Sequence, residues 1–155
     1  MSPIGPSAVT RSPYSKVVGL AVLAGSILML EVALTRVLAI MMWHHFTYMV
    51  VSVGLLGFGA AGSLLTVRGT RETAGDDHGA RALTLCSLGF AVSVVLAFAF
   101  VTRMEVDHFA IADAVGNVGV FGLLYLVLSV PFLLGGLAVG LALTRRAPDV
   151  PRLYA

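Results

Sequence analysis

The sequence predicts an all-α, polytopic membrane protein with four transmembrane helices and both termini cytoplasmic. Three observations predict it. First, four apolar blocks occupy residues 17–42, 46–67, 82–101 and 118–143, and each exceeds or matches the roughly 20 helical residues that cross a hydrocarbon layer of about 30 Å. Second, the chain is 58% hydrophobic and 12% charged, with a mean hydropathy of +0.96. A soluble domain carries about 25% charged residues to coat its surface, so lipid must act as solvent for most of this one. Third, the basic residues lie almost entirely on one side of the four blocks.

Residues 1–16 form the first tail. Pro3, Pro6 and Pro13 break any helix there, and the tail closes on Lys16. The first block follows and is the one block that contains charge, at Glu31 and Arg36. A cleavable signal core runs about 7–15 residues. This block is longer and charged inside, so it is expected to remain as a signal anchor. Trp43, His44, His45 and Tyr48 gather at its far end, where amphipathic rings favour the headgroup level. A tight turn there makes the first two helices an antiparallel hairpin.

The second block has no charge and leads into RGTRETAGDDHGAR (68–81), the most polar stretch of the chain. The third is uncharged to Val101. The next connection holds Arg103, Glu105, Asp107, His108 and Asp113. Pro131 lies inside the fourth block and is expected to kink it, a break that neighbouring helices make tolerable. Residues 145–155 are a polar second tail. The domain plan is therefore a membrane domain, 17–144, between two cytoplasmic tails.

Several function classes fall away at once. Nucleic-acid binding needs clustered basic residues with interleaved aromatics, and here they are scattered. Cys86 is the single cysteine; it has no intrachain partner and no metal-binding spacing, and reads as a small residue at a helix contact. No cofactor is expected. Gly57-Phe58-Gly59-Ala60-Ala61-Gly62 matches GxGxxG literally, with Asp77 twenty residues after the first glycine. The dinucleotide fingerprint also needs a second strand presenting that acid, and RETAGDD is loop material. Small residues at four-residue spacing let membrane helices approach closely. Gly57, Gly59, Gly62, Gly136 and Gly140, in the pairs Gly57/Ala61, Gly59/Ser63 and Gly136/Gly140, are accordingly read as helix-packing positions.

The candidate functional residues are Glu31, Arg36, His44 and His45, in ligand binding or proton coupling. Glu31 stands about 20 Å into its helix at 1.5 Å per residue, near or just beyond the midplane, where ionisable side chains are functional suspects by default. The competing reading is a neutral carboxyl hydrogen-bonded to Thr35, one turn on. Arg36 is five residues further, on another face and off the ideal pairing spacing of three or four, so a pair with Glu31 needs side-chain reach or another helix; its long stem favours snorkelling to the headgroups. His44 and His45 are adjacent and diverge by about 100° on a helix, which prevents both from chelating one metal. With Asp107 and His108 on the same side of the membrane they form a weak metal possibility, set against ordinary interfacial histidines; no metal site is expected.

These residues together resemble the multi-pass membrane region of spermidine synthase-like fusion proteins, in which a helical membrane module precedes a soluble aminopropyltransferase-type domain. The resemblance rests on GSILMLEVALTRVLAI (25–40), the glycine-rich GLLGFGAAGSLL (54–65) and PFLLGGLAVGLALTRRAPDVPRLYA (131–155). In such proteins an RLYA-like stretch precedes an acidic residue and a further helix. The resemblance thus implies a truncated or split gene product, or a free-standing membrane module. It transfers no catalytic residue, because the glycine-rich strand–loop for the nucleoside and the acidic catalytic loop are missing from this sequence. The expected function is an integral membrane module without catalytic activity of its own. The rival is a small proton-coupled exporter using Glu31 in LMLEVALT, similar to small multidrug transporters in helix number and in having one glutamate in the first helix. Beyond the lipid bilayer, the sequence leaves open further transmembrane helices, a soluble aminopropyltransferase-like domain and a second copy of the chain as partners.

Sidedness is the property that the charge distribution predicts most directly. Arg11, Lys16, Arg68, Arg71, Arg81, Arg145, Arg146 and Arg152 share one side if there are four crossings, against Arg103 and the outward-leaning Arg36. Cytoplasmic loops carry the Lys/Arg excess. Cysteine labelling of intact cells should therefore find residues 1–16, 68–81 and 145–155 protected; an externally labelled 68–81 loop would eliminate the four-span arrangement.

Overall fold

In hydrocarbon a helix alone among open structures satisfies its own backbone N–H and C=O groups, and each apolar block of this chain folds as one. The computed structural model describes residues 13–41, 47–67, 76–103 and 114–144, all of them helical: α1 (Pro13–Met41), α2 (Thr47–Val67), α3 (Asp76–Arg103) and α4 (Ala114–Thr144). Within them Val17–Ile40, Tyr48–Val67, Gly79–Arg103 and Gly122–Thr144 are long and apolar enough to cross a membrane. The chain is thus an all-α, multi-pass membrane protein. GxGxxG lies wholly inside α2, a continuous helix.

Three of the helices, α1, α3 and α4, begin earlier than the apolar blocks suggest. Pro13 opens α1 instead of preventing it: at the first helical position the missing N–H has no partner to lose, and the fixed φ is already helical. The α3 helix takes in Asp76 to Arg81, expected as loop. Acidic residues at a helix start meet the positive end of its dipole, so the polar DDHGAR sequence can join the helix. α4 runs unbroken through Pro131, which is itself buried.

Direction follows from chain length and from contacts. Only residues 42–46 separate α1 from α2. They reach about 20 Å at most, against about 43 Å for the length of α1, so α1 and α2 are antiparallel. Between α2 and α4 the contacts climb in step: Gly57 meets Phe132 and Leu133, Ala61 meets Gly136, and Leu65 meets Gly140. Both indices rise together, so α2 and α4 are parallel. The start of α1 and the end of α4 therefore lie at the same end of the bundle.

α4 is the centre. It packs extensively on α2 and α3 and more lightly on α1; 39% of an 18-residue apolar stretch of its span is buried, against 17% for that of α1. Its buried row Leu124, Leu128, Phe132, Gly136 advances by four residues, one ridge of the helix. The opposing small residues set the separation. A Cβ on Gly57 would stand 2.5 Å from the Phe132 Cβ and 2.8 Å from the Leu133 backbone nitrogen; one on Gly136 would stand 2.9 Å from the Ala61 Cβ. Backbone cannot move aside as a side-chain tip can, so α2 and α4 touch at the limit that glycine permits. Gly135 admits Ile27 of α1 on one side and Phe90 of α3 on the other, and Gly89 receives Leu134.

Gly59 and Gly62, read as packing positions from sequence, meet no other helix among the described residues. Both face open space and are exposed. At about 100° per residue they lie about 160° and 140° around the helix from Gly57, on the side away from α4. The Gly59/Ser63 pair is likewise internal to α2: the Ser63 hydroxyl donates to the Gly59 carbonyl at 2.9 Å.

This contrast is testable by thermal or denaturant unfolding in detergent micelles. Gly57→Ala forces backbone apart and should cost about 1–3 kcal/mol, the range for overpacked cores. Gly59→Ala should change stability by no more than about 0.5 kcal/mol, as for surface positions. Equal effects at both sites would remove the glycine contact as the determinant of α2–α4 packing.

Candidate functional site

Glu31 is the one Asp or Glu within the four spans, and it is half-buried on α1. Its side chain is turned toward α2. A Cβ built on Gly54 would lie 3.9 Å from the Glu31 Oε1 and 3.8 Å from the Cδ1 and Cε1 atoms of Phe132. Carboxyl, bare glycine backbone and aromatic ring thus converge from α1, α2 and α4. Their depths agree. Counted from the common end of the bundle at 1.5 Å per residue, Glu31 lies about 21 Å from Val17, Gly54 about 20 Å from Val67 and Phe132 about 18 Å from Thr144.

Local sequence explains this placement. Ile27, Leu30, Leu34 and Leu38 form the buried stripe of α1, and Leu28 and Val32 are exposed. Glu31 falls between them, at the edge of the stripe. Gly54 stands at the matching edge of α2, with Val50 and Val53 buried beside it and Val51 and Phe58 exposed. The site is therefore a rim position on the α1–α2 seam. Among the described residues no hydrogen bond reaches the Glu31 carboxyl, and no wholly buried side-chain oxygen or nitrogen lacks a partner; the carboxyl keeps an open side. The Thr35 hydroxyl, expected to serve it, donates instead to the Glu31 backbone carbonyl at 2.7 Å. Ser52 on α2 is committed in the same way to Tyr48, at 2.9 Å.

Arg36 is exposed. It lies about 6 Å along the axis from Ile40, the far end of its span, a distance its stem covers in reaching the headgroups. His44 and His45 lie outside the described residues, as do Trp43, Asp107 and His108. Among the described residues no group of three or more His, Cys, Asp or Glu comes together to hold a metal. Cys86 is half-buried on α3.

Gly57, Gly136 and Gly140 lie along the α2–α4 contact, at about one, two and three helical turns beyond the level of Gly54. Phe132 connects the two features, with its Cβ against Gly57 and its ring against Gly54. Sequence reasoning did not single out Gly54, Phe132 or Gly135. Gly54 was readable in principle, three residues before Gly57 and so on nearly the same face; Phe132 was indistinguishable from lipid-facing aromatics. On the opposite flank of α1, Ser26, Met29, Leu30 and Ala33 with Phe90, Ala91, Val94 and Phe98 of α3 line an open, mostly apolar groove of about 410 Å³. No family model, no curated protein and no solved structure matches this chain.

The Gly54 gap has a measurable size. A methyl there meets Glu31 and Phe132 at ordinary van der Waals distance; a branched side chain must enter between them. Gly54→Ala should leave the unfolding midpoint in micelles nearly unchanged, and Gly54→Leu should cost about 1–3 kcal/mol. A Leu variant as stable as wild type would show that the seam at this depth is not closed.

Proposed function

We propose that this chain is an integral membrane module without catalytic activity of its own, similar to the membrane region of spermidine synthase-like fusion proteins. It sits in a bacterial inner membrane with both tails cytoplasmic. The observation that carries the reading is that the described chain is spent on four spans held around α4, with contacts built from Gly57, Gly135, Gly136 and apolar side chains. Such an arrangement suits anchoring and helix assembly. Acyl, phosphoryl or alkyl transfer needs a nucleophile, a base and a stabiliser of developing charge set around one cleft.

The second reading, a proton-coupled exporter, is favoured by one specific observation: Glu31 is turned into the α1–α2 seam against Gly54, where a carboxyl in simple contact with lipid would have no reason to be.

Two assays test these readings, the first the absence of catalysis and the second the choice between anchor and exporter. Purified protein given decarboxylated S-adenosylmethionine and putrescine should show no aminopropyl transfer; turnover that follows the protein through purification would overturn the non-catalytic reading. In proteoliposomes with an imposed pH gradient, neither wild type nor Glu31→Gln should drive efflux of cationic drugs or polyamines. Efflux by wild type that disappears in Glu31→Gln would replace the anchor reading with the exporter.

A further inference from the structure

The groove between α1 and α3 takes no part in the arrangement around Glu31: Met29 and Ala33 of its α1 wall stand about 160° around the helix from that residue. Both walls rise from the level of Gly135, which admits Ile27 on one side and Phe90 on the other. From there α1 lines the groove as far as Ala33 and α3 as far as Phe98, so the two helices climb in the same direction. Each packs on α4 and touches the other little, and the gap opens to the bilayer, with Met29 75% exposed at its lip. The walls are almost wholly apolar, and their one hydroxyl, on Ser26, donates to the Val22 carbonyl at 2.8 Å. A volume of about 410 Å³ spread over the roughly 10 Å from Ser26 to Ala33 leaves a cross-section of about 40 Å². A helix with its side chains is about 10–12 Å across, or about 80 Å² at the least. The slot therefore takes a hydrocarbon chain and not a further helix.

Charge at one end of the slot says which chain. Arg36 continues the α1 wall two turns beyond Met29, within about 20° of the same line along the helix, and is exposed. Ser26 lies ten residues below it, about 15 Å along the axis, which is half of a hydrocarbon layer of about 30 Å. The run from Arg36 down to Ser26 thus matches one leaflet, with a cation at its headgroup end and no charged residue lining the groove. The geometry points to a binding site for an anionic phospholipid, its phosphate held by Arg36 and one acyl chain laid in the α1–α3 groove. A guanidinium offers a planar fork of N–H donors that meets phosphate oxygens two at a time. A zwitterionic lipid brings its own cation to the same phosphate and gains less from the arginine. Within the groove the flexible Met29 side chain adapts to a flexible guest. Arg103, the cation at the corresponding end of α3, stands about 140° around its helix from Phe98 and faces away from the groove, so it serves as the comparison. The inference uses neither catalytic silence nor transport, and so stands apart from the function proposed above.

The experiment uses the full chain in phosphatidylcholine nanodiscs that contain a small share of phosphatidylglycerol with a diazirine midway along one acyl chain. Light expels dinitrogen from the diazirine, and the carbene left behind inserts into a neighbouring C–H bond, so both sides of that bond stay on the adduct. Peptide mass spectrometry should find the adducts concentrated on residues 26–33 and 90–98. The same diazirine chain carried by phosphatidylcholine should label them at least fivefold less. Unlabelled phosphatidylglycerol should suppress the adducts with saturation, and inorganic phosphate, which has no tail, should not. Arg36→Gln should cut labelling by phosphatidylglycerol at least fivefold, and Arg103→Gln should change it less than twofold. Equal labelling by the two headgroups, or equal loss in the two variants, overturns the phosphate site at Arg36. Adducts spread evenly over the exposed residues of all four helices overturn the groove as the seat of the chain, and suppression by inorganic phosphate overturns the need for a tail. Groove residues free of adduct, together with a dimer mass in native mass spectrometry, assign the groove to a second copy and overturn the lipid site. The headgroup comparison on wild type requires no variant to fold.

Discussion

The backbone-to-backbone contact at Gly57 is the constraint on which the rest of the arrangement depends. In a bilayer there is no hydrophobic gain in pressing one apolar helix against another, because lipid tails are as apolar as leucine; close van der Waals packing has to hold helices together. Gly57 lets α2 come within touching distance of the Phe132–Leu133 backbone, and the parallel register continues through Ala61 on Gly136 and Leu65 on Gly140. With α2 fixed so closely, the other face of α4 is left to seat Phe90 and Leu134 contacts with α3, and Ile27 of α1 at Gly135. Phe132, fully buried, is where these demands meet.

The polar groups obey the same solvent. Hydroxyls on all four spans return to their own helix: Ser26 to Val22 at 2.8 Å, Ser63 to Gly59 at 2.9 Å, Ser93 to Phe90 at 2.8 Å and Ser129 to Leu126 at 2.8 Å. This satisfies each hydroxyl without recruiting a neighbour, which is how a helix carries serine through hydrocarbon. It also means that hydroxyls do little to join the helices. Glu31 cannot adopt this solution, because a carboxylate only accepts and the carbonyls one turn back only accept as well. It is the one acid of the described spans, and its chemistry points outside its own helix.

How legible was this from sequence? The spans were, because about 20 apolar residues in a row have few other uses, and the hairpin was, because five residues cannot span a helix length. Helix starts were not, since Pro13 reads as a breaker and Asp76 as loop until their position in the first turn is known. The glycines divide instructively. Gly57, Gly59 and Gly62 carry identical local signals in sequence; which of them meets α4 depends on the rotation of α2 about its axis. That rotation is settled by Phe132 and Leu133, about 75 positions away. Rotation of a uniformly apolar helix is poorly marked by hydrophobicity, as no polar face identifies the outside. For the same reason Glu31 was visible as an anomaly while its neighbour Gly54 was not.

The position of the carboxyl on α1 follows from how α1 is held. α1 has the least buried span and is fixed chiefly by Ile27, Leu30, Leu34 and Leu38 against the α2–α4 pair. Had Glu31 stood one position earlier, at Leu30, it would have entered the buried cluster itself, where an uncompensated charge costs several kcal/mol. One position later, at Val32, it would have faced lipid directly with no protein dipole nearby. At position 31 the side chain touches protein on one side and remains reachable on the other. A lightly packed helix tolerates that compromise, since α1 takes no part in the glycine contact between α2 and α4. The tight pair and the lightly held first helix are thus two parts of one arrangement: contact at the limit that glycine permits between α2 and α4, and an open edge where the one acid of the described spans stands.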